Sequence, residues 1–262
     1  MYKTKLLLAL CLTLFCVLKA GAVEDKDLVL YLAFDEGKGT DVEDSSGNGN
    51  DGVINGDVKW VDGKFGKALE FGKDVTQFVE VPDSESLRFD EDPFTYMAWI
   101  KTYELGSPEY QAIMSKRVPT AGDGMETASL FIQNGQDYLF VEFRDSIQGM
   151  FGFSATEAVL TANEWHHVAW VKDDDELRFY VDGELMQTEE HDRVGTVNGT
   201  QAMYIGVHRY GATWNSGFNG IIDSVAVFKA ALNEDDIRSR MENASPVEPQ
   251  GKLAASWGEI RR

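Results

Sequence analysis

The chain has 262 residues and a formal net charge of −20 at pH 7, from 44 Asp and Glu against 24 Lys and Arg. So acidic a surface disfavours nucleic acid and anionic membranes and suits divalent cations or neutral polymers. The length accommodates one large domain or two small ones.

Lys3 and Lys5 form a basic start, Leu6 to Leu18 is an apolar run, and Ala20-Gly21-Ala22 fits a small-residue cleavage site. The pattern reads as a secretory signal peptide over residues 1–22, its apolar run too short for a good membrane span. Both cysteines, Cys11 and Cys16, lie inside it, and Leu10 and Phe15 stand where a lipoprotein would place a small residue. The mature protein is therefore expected to be secreted, periplasmic or on the cell surface, with no membrane span after signal cleavage. It can hold no disulfide, so another constraint must tie its loops down.

From there nearly every segment reads as a strand. "LVLYLAF" (28–34) runs into "DEGKGTDVEDSSGNGNDG", which crowds carboxylates and glycines and could be a metal site, a ligand loop or a solvated turn. "FVEV" (78–81) stops at Pro82, and "FTYMAWIK" (94–101) is apolar on both faces, as a strand between two layers would be. "ASLFIQ" (128–133) and "YLFVEFR" (138–144) flank the hairpin signal Asn134-Gly135-Gln136-Asp137. "WHHVAWVK" (165–172) precedes "LRFYVDGELM" (177–186), where Asp182-Gly183 makes a two-residue turn. "MYIGV" (203–207) and "GIIDSVAVF" (220–228) complete the set.

In the last of these, strict alternation puts Ile221, Asp223, Val225 and Val227 on one face. An aspartate in such a row needs a cation or strong hydrogen bonds. One helix follows: Asn233 caps it, Glu234, Asp235 and Asp236 fill the first turn, and Arg238 and Arg240 come late. No linker-like stretch or fixed repeat appears before about residue 243, which predicts one domain over 26–242 and a tail over 243–262. Many short strands with one short C-terminal helix predict an all-β fold, a two-sheet antiparallel sandwich or jelly roll.

Catalytic arrangements are missing from the pattern. His166 and His167 adjoin on a strand and face opposite ways, so they cannot chelate one metal together. The mature chain has no cysteine nucleophile and no Gly-x-Ser-x-Gly, and "GKFGKA" lacks phosphate-loop spacing. The best ligand cluster is "HRYGATWNSGF" (208–218), with Arg209, Tyr210, Trp214 and Asn215 in a glycine-punctuated loop; the bland alternative is that these aromatics cover the sandwich edge. A weaker set is Tyr103, Tyr110 and Arg117, while Phe151, Phe153, Trp99, Trp165 and Trp170 read as core.

"LYLAFDEGKGTDVEDSSGNGNDG", "GKFGKALEF", "FVEVPDSESL", "FTYMAWIK", "WHHVAWVKDDDELRFYVDG", "MYIGV" and "FNGIIDSVAVFKAALNEDDI" occur in this order. Together they resemble the bacterial laminin G-like domains of the concanavalin A-like lectin/glucanase superfamily, over about residues 28 to 240. The resemblance implies a jelly roll of two curved antiparallel sheets that binds carbohydrate or protein and holds a structural calcium. Carried over by motif position, Asp35 and Asp223 would be side-chain ligands of that ion, with Asn50 and Gly52 supplying carbonyls. The alternative is that both aspartates merely accept backbone hydrogen bonds beside a solvated loop. Asp44 to Gly49 imitates the start of an EF-hand, but the twelfth position is Asn55 and no helices flank it.

The related glucanases carry a Glu-x-Asp-x-x-Glu run on one strand, and it is absent here. "VEFRDS" comes nearest, with Glu142 and Asp145 on opposite faces. The family has a similar "WHHVA", which implies a packing role for the histidines. The sequence is thus read as a secreted non-catalytic module for carbohydrate recognition, with structural calcium as its cofactor. Its partner would be an extracellular glycan or an envelope protein, not nucleic acid. The alternatives are a protein-interaction or adhesion domain of the cell envelope and, third, a glycoside hydrolase-like enzyme without the usual carboxylate motif.

Overall fold

Alternating apolar residues and glycine-marked turns divide the chain into short strands. The computed structural model describes residues 25–116, 127–192, 195, 197–210 and 213–242; the expected signal peptide, Arg117 and the tail lie outside them. The first strands are β1 (Leu28–Leu32), β2 (Asp41–Val42), β3 (Gly52–Asn55), β4 (Lys59–Asp62), β5 (Lys67–Gly72) and β6 (Phe78–Val81). The middle of the chain supplies β7 (Phe94–Thr102), β8 (Gln111–Lys116), β9 (Thr127–Ile132), β10 (Tyr138–Asp145) and β11 (Gly149–Val159). Then come β12 (His166–Lys172), β13 (Glu176–Val181), β14 (Glu184–Glu190) and β15 (Met203–Ile205). Strands β16 (Val207–Tyr210), β17 (Thr213–Gly217) and β18 (Asn219–Phe228) precede helix α1 (Glu234–Glu242).

Two antiparallel sheets form a sandwich. The first runs β14-β13-β12-β7-β18-β5-β4, with β1 also paired to β18; the second runs β11-β10-β9-β8-β15-β6-β3-β2. Their facing sides bury the main core, in which Leu30, Leu69, Tyr96, Val141 and Trp170 are inaccessible to solvent. Phe94 meets Trp170 edge-on at 5.1 Å, a favoured aromatic geometry. Phe151 and Phe153 pack against this core, as expected. The turn at Asp182 (φ 53°) and Gly183 (φ 79°) has positive φ at both positions, the type I′ form that matches strand twist.

The first sheet is also covered on its other side. Asn233 caps α1, its Oδ1 accepting the Asp236 N–H at 2.9 Å, and Ile237 joins Met97, Ala169, Tyr180 and Phe228 in a second buried apolar cluster. Strand β7 is apolar on both faces for this reason: Tyr96, Ala98 and Ile100 enter the main core, and Met97 meets the helix side. Trp99 therefore lies on the outer side and Trp165 is half-buried before β12, so only Trp170 of the three is in the main core. No helix among the described residues is long and apolar enough to cross a membrane.

Strand β18 departs from the alternation read in the sequence. Ile222, Val225 and Val227 face the main core, whereas Ala226 and Phe228 face outward. Asp223 pairs with Trp99, and the register slips between Asp223 and Ala226 at Ser224, which has φ 50°. This bulge puts an extra residue in the strand, so Asp223 and Val225 lie on opposite faces rather than together.

Candidate functional site

Asp223 sits where β18 changes partner. Residues Asn219–Ile222 pair with β5, Val225–Phe228 pair with β1, and β7 holds the other edge. Strands β1 and β5 thus lie end to end, and the β4–β5 turn, Gly63 to Gly66, closes over their junction. Asp223 is fully buried there; its Oδ2 accepts the Phe65 N–H at 3.0 Å and its Oδ1 accepts the Ser224 hydroxyl at 3.0 Å. Just beyond β1, Asp35 Oδ1 accepts the Lys67 N–H at 2.9 Å.

Both glycines of "GKFG" are required by these carboxylates. A β-carbon on Gly66 would stand 1.9 Å from Asp35 Oδ1. One on Gly63 would stand 2.6 Å from Asp223 Oδ2, 2.7 Å from the Phe65 carbonyl oxygen and 2.8 Å from that of Lys67. Three oxygens from two segments therefore converge beside Gly63. Burial pushes Asp223 up to about 6 against the N–H groups of Phe65 and Lys64 and the Ser224 hydroxyl, and the Asp35 charge adds to the rise. Burial likewise lifts the neighbouring Tyr31 to about 12.

The donor set suits a hard cation, which takes oxygen ligands from carboxylates and main-chain carbonyls. Among the described residues no three His, Cys, Asp or Glu side chains gather as metal ligands, so carbonyls would have to complete the shell. The carbonyls brought here are those of Phe65 and Lys67. Sequence reasoning missed them, although "GKFGKA" was visible as a glycine pair without a phosphate-loop spacing.

Asn50 and Gly52 take part in none of the hydrogen bonds of Asp35 or Asp223 described above. Asn50 Nδ2 donates to the Val29 carbonyl at 2.7 Å and to Ser86 Oγ at 2.8 Å, and its Oδ1 accepts from Ser84 Oγ at 2.6 Å. Gly52 backs onto β6, where a β-carbon would meet Val79 Cγ1 at 2.7 Å. The acidic stretch is organised by Asp44. This buried carboxylate accepts the N–H groups of Tyr31 (2.9 Å), Ser46 (3.0 Å) and Asn50 (2.9 Å) and the Ser46 hydroxyl (2.8 Å).

On the outer face of the second sheet lies hairpin β16–β17. It carries Arg209, Tyr210, Trp214 and Asn215 within its two strands, where the sequence suggested a loop; their side chains lie outside the described residues. His208 docks the hairpin on this face: its Nδ1 lies 3.0 Å from Ser115 Oγ, and its ring meets Phe131 edge-on at 4.9 Å. Tyr103 and Tyr110 go separate ways. Tyr103 donates to Glu70 Oε1 at 2.5 Å on the first sheet, while Tyr110 packs on Phe131 and Phe140 of the second.

Other polar groups hold turns. His166 Nε2 accepts the Thr161 N–H at 3.0 Å and its Nδ1 meets Asp182 Oδ2 at 2.8 Å, which staples the β13–β14 hairpin to β12. Asp145 Oδ1 accepts the N–H groups of Ile147 (2.9 Å) and Gln148 (2.5 Å) at the end of β10, away from Glu142 on the outer face.

A laminin G-like family model, described as the concanavalin A-like lectin/glucanases superfamily, matches residues 72–238. Among curated protein sequences none matches the chain. In three dimensions it is similar to the binding domain of Paraclostridial Mosquitocidal Protein 1 (TM-score 0.66, 15% identity), over 84% of this chain and 52% of that one. Domain 4 of AbnA, a GH43 extracellular arabinanase from Geobacillus stearothermophilus solved with arabinotriose, is similar at TM-score 0.62 and 20% identity, over 81% of this chain and 97% of that one. The botulinum neurotoxin serotype D ligand binding domain, solved with N-acetylneuraminic acid, is similar at TM-score 0.64 and 15% identity, over 84% and 51%. The chain spans about half the length of the two toxin domains. At these identities the likeness is one of fold.

Proposed function

The chain belongs to the concanavalin A-like lectin/glucanase superfamily, and from that premise we propose that it is a secreted, non-catalytic carbohydrate-binding module clamped by a structural calcium ion. The observation that carries the binding role is hairpin β16–β17, which His208 docks against Phe131 on the outer face of the second sheet and whose strands include Arg209, Tyr210, Trp214 and Asn215. Aromatic residues on a strand pair lying over a sheet suit sugar stacking better than core packing. The arabinanase domain with its arabinotriose and the neurotoxin domain with its sialic acid support a glycan as the ligand.

Calcium is supported by an all-oxygen donor set at the β18 junction, Asp35 and Asp223 with the Phe65 and Lys67 carbonyls. Bound there, it would tie the start of the sandwich to its last strand, in a mature chain without cysteine. Its place in a packed seam makes it structural.

The test of the binding role is native gel electrophoresis through arabinan, xylan and β-glucan with calcium present, comparing the wild type with Tyr210→Ala and Trp214→Ala. Retarded wild type and freely running, folded variants are the expected result. Equal retardation of all three removes the hairpin from the site. Capture of an envelope protein with indifference to every glycan favours the adhesion reading, and sugar release from the polymers favours a hydrolase.

A further inference from the structure

The outer face of the second sheet breaks the usual rule that a solvated sheet face is polar. Cross-strand pairing sets Phe131 of β9, Phe140 of β10 and Ser154 of β11 in one row. Tyr110 joins them, its ring 5.6 Å from that of Phe131 and 5.1 Å from that of Phe140. None of the three aromatics belongs to the main core; Phe131 is 3% exposed at the base, and Tyr110 and Phe140 are half-buried above it. The strand beside Phe140 carries Gly152, where a β-carbon would stand 2.9 Å from Phe140 Cζ, so the ring lies across a position with no side chain.

A polar fringe accompanies the rings. Ser154 Oγ donates to Gln133 Oε1 at 3.1 Å, and Gln133 Nε2 donates to Asn134 Oδ1 at 2.6 Å and reaches Tyr110 Oη at 3.4 Å. Amides and hydroxyls already ordered beside a half-exposed aromatic pair supply both halves of sugar recognition. The ring faces attract the C–H side of a pyranose or furanose, and the fringe meets its hydroxyls.

We propose that Tyr110 and Phe140, seated on Phe131, form a stacking platform for one sugar ring of a neutral polysaccharide lying across β9–β11 toward hairpin β16–β17. The inference rests on the glycan-binding role proposed above and names its ligand class. Charge selects the neutral class: none of the platform or fringe residues is basic, Glu142 stands in the next cross-strand row opposite Gly152, and the chain carries −20 overall.

The experiment uses the full chain in native gels cast with arabinan, xylan, β-glucan or the anionic polygalacturonate. Variants are Phe140→Ala, Tyr110→Ala and Phe140→Trp, each with a thermal melt as a fold control. The expected result is retardation of the wild type by a neutral polymer and a loss of about tenfold or more in affinity for both alanine variants. Phe140→Trp should retain binding, because it keeps a ring face where a merely structural role would suffer from the added bulk. Wild-type binding with unchanged alanine variants overturns the platform and leaves the binding module standing. Retardation by polygalacturonate alone overturns the neutral class, and no retardation by any polymer overturns the glycan reading together with the platform.

Discussion

Asp223 stands opposite Trp99 in the pairing of β18 with β7, on the face turned away from the main core. The same turn covers both. Phe65, whose N–H binds Asp223, meets Trp99 edge-on with ring centroids 6.1 Å apart, and the Lys64 ammonium lies 4.2 Å from the centre of the Trp99 ring. A buried carboxylate thereby gains two N–H donors and an apolar neighbour but no basic side chain among its hydrogen-bond partners. Its cost is what a cation would relieve.

Calcium should raise the thermal midpoint of chelator-stripped protein in a saturable way. At about a hundredfold excess over its dissociation constant the ion contributes ~2.7 kcal/mol. Asp223→Asn should abolish the rise. A melt indifferent to calcium in protein verified as metal-free would sink the clamp.

Gly66→Ala should be among the most damaging surface-turn changes, costing about 2–4 kcal/mol in urea unfolding. Its φ of 47° is unfavourable for alanine, and the added carbon would overlap Asp35 Oδ1. Gly63→Ala should fall in the same range and weaken any calcium response, since its β-carbon would enter the converging oxygens. Wild-type midpoints for both would show that the turn does not hold the carboxylates.

The bulge makes an opposite pair of expectations at Ser224, whose φ is 50°. Ser224→Gly relieves the left-handed backbone but loses the hydroxyl bond to Asp223, for a net change within about 1 kcal/mol. Ser224→Val should cost ~2 kcal/mol or more, because a β-branched residue tolerates this conformation poorly. Equal stabilities would argue that the strand slips to a regular register.

His167 gives the fold an acid-sensitive term. Burial depresses its ring to about 3, only partly offset by Asp182, so the folded state holds it neutral. The contribution is fully present above the unfolded value near 6.5 and is lost as pH falls toward 3, by up to ~1.4 kcal/mol per unit. Asp223 has the reverse sign in metal-free protein: raised to about 6, it favours folding below its unfolded value of 3.8 and less as pH rises through 6. Comparing wild type with His167→Gln isolates the histidine, since Asp223 is common to both. Urea titrations at pH 7 and pH 5 should show the wild type losing about 2 kcal/mol more than the variant; parallel losses would contradict the assignment.

Asp44→Ala should loosen the acidic stretch without any metal being involved. Four donors lose one acceptor, Tyr31 N–H among them, for a cost of about 2–4 kcal/mol. Faster amide exchange confined to residues near 44–50 and at Tyr31 is the accompanying signature; an unaltered exchange pattern would contradict it.

Much of this architecture was legible one segment at a time. Alternation and turn chemistry mark β6 at Phe78–Val81, the Asp182-Gly183 turn and the Asn233-capped helix, because φ/ψ preference, capping and side-chain period are properties of neighbouring residues. The acidic residues Asp35 and Asp223 were also conspicuous by type. Short or partly exposed strands such as β2, β4 and β11 gave weaker signals, since their pairing is decided by partners distant in the chain.

Only the tertiary structure decided the face of Asp223. Alternation counts two residues per repeat and assigns it with Val225, but β18 must pair with β5 before the seam and β1 after it, and Ser224 absorbs the mismatch as a bulge. The same seam explains why the β4–β5 turn and the first residue of β5, and no stretch adjacent to Asp35 or Asp223, supply their N–H donors and nearby carbonyls. A sequence carries each strand's period and each turn's preference. Which strands lie end to end, and therefore which distant groups meet a buried carboxylate, is fixed by long-range packing that no local window contains.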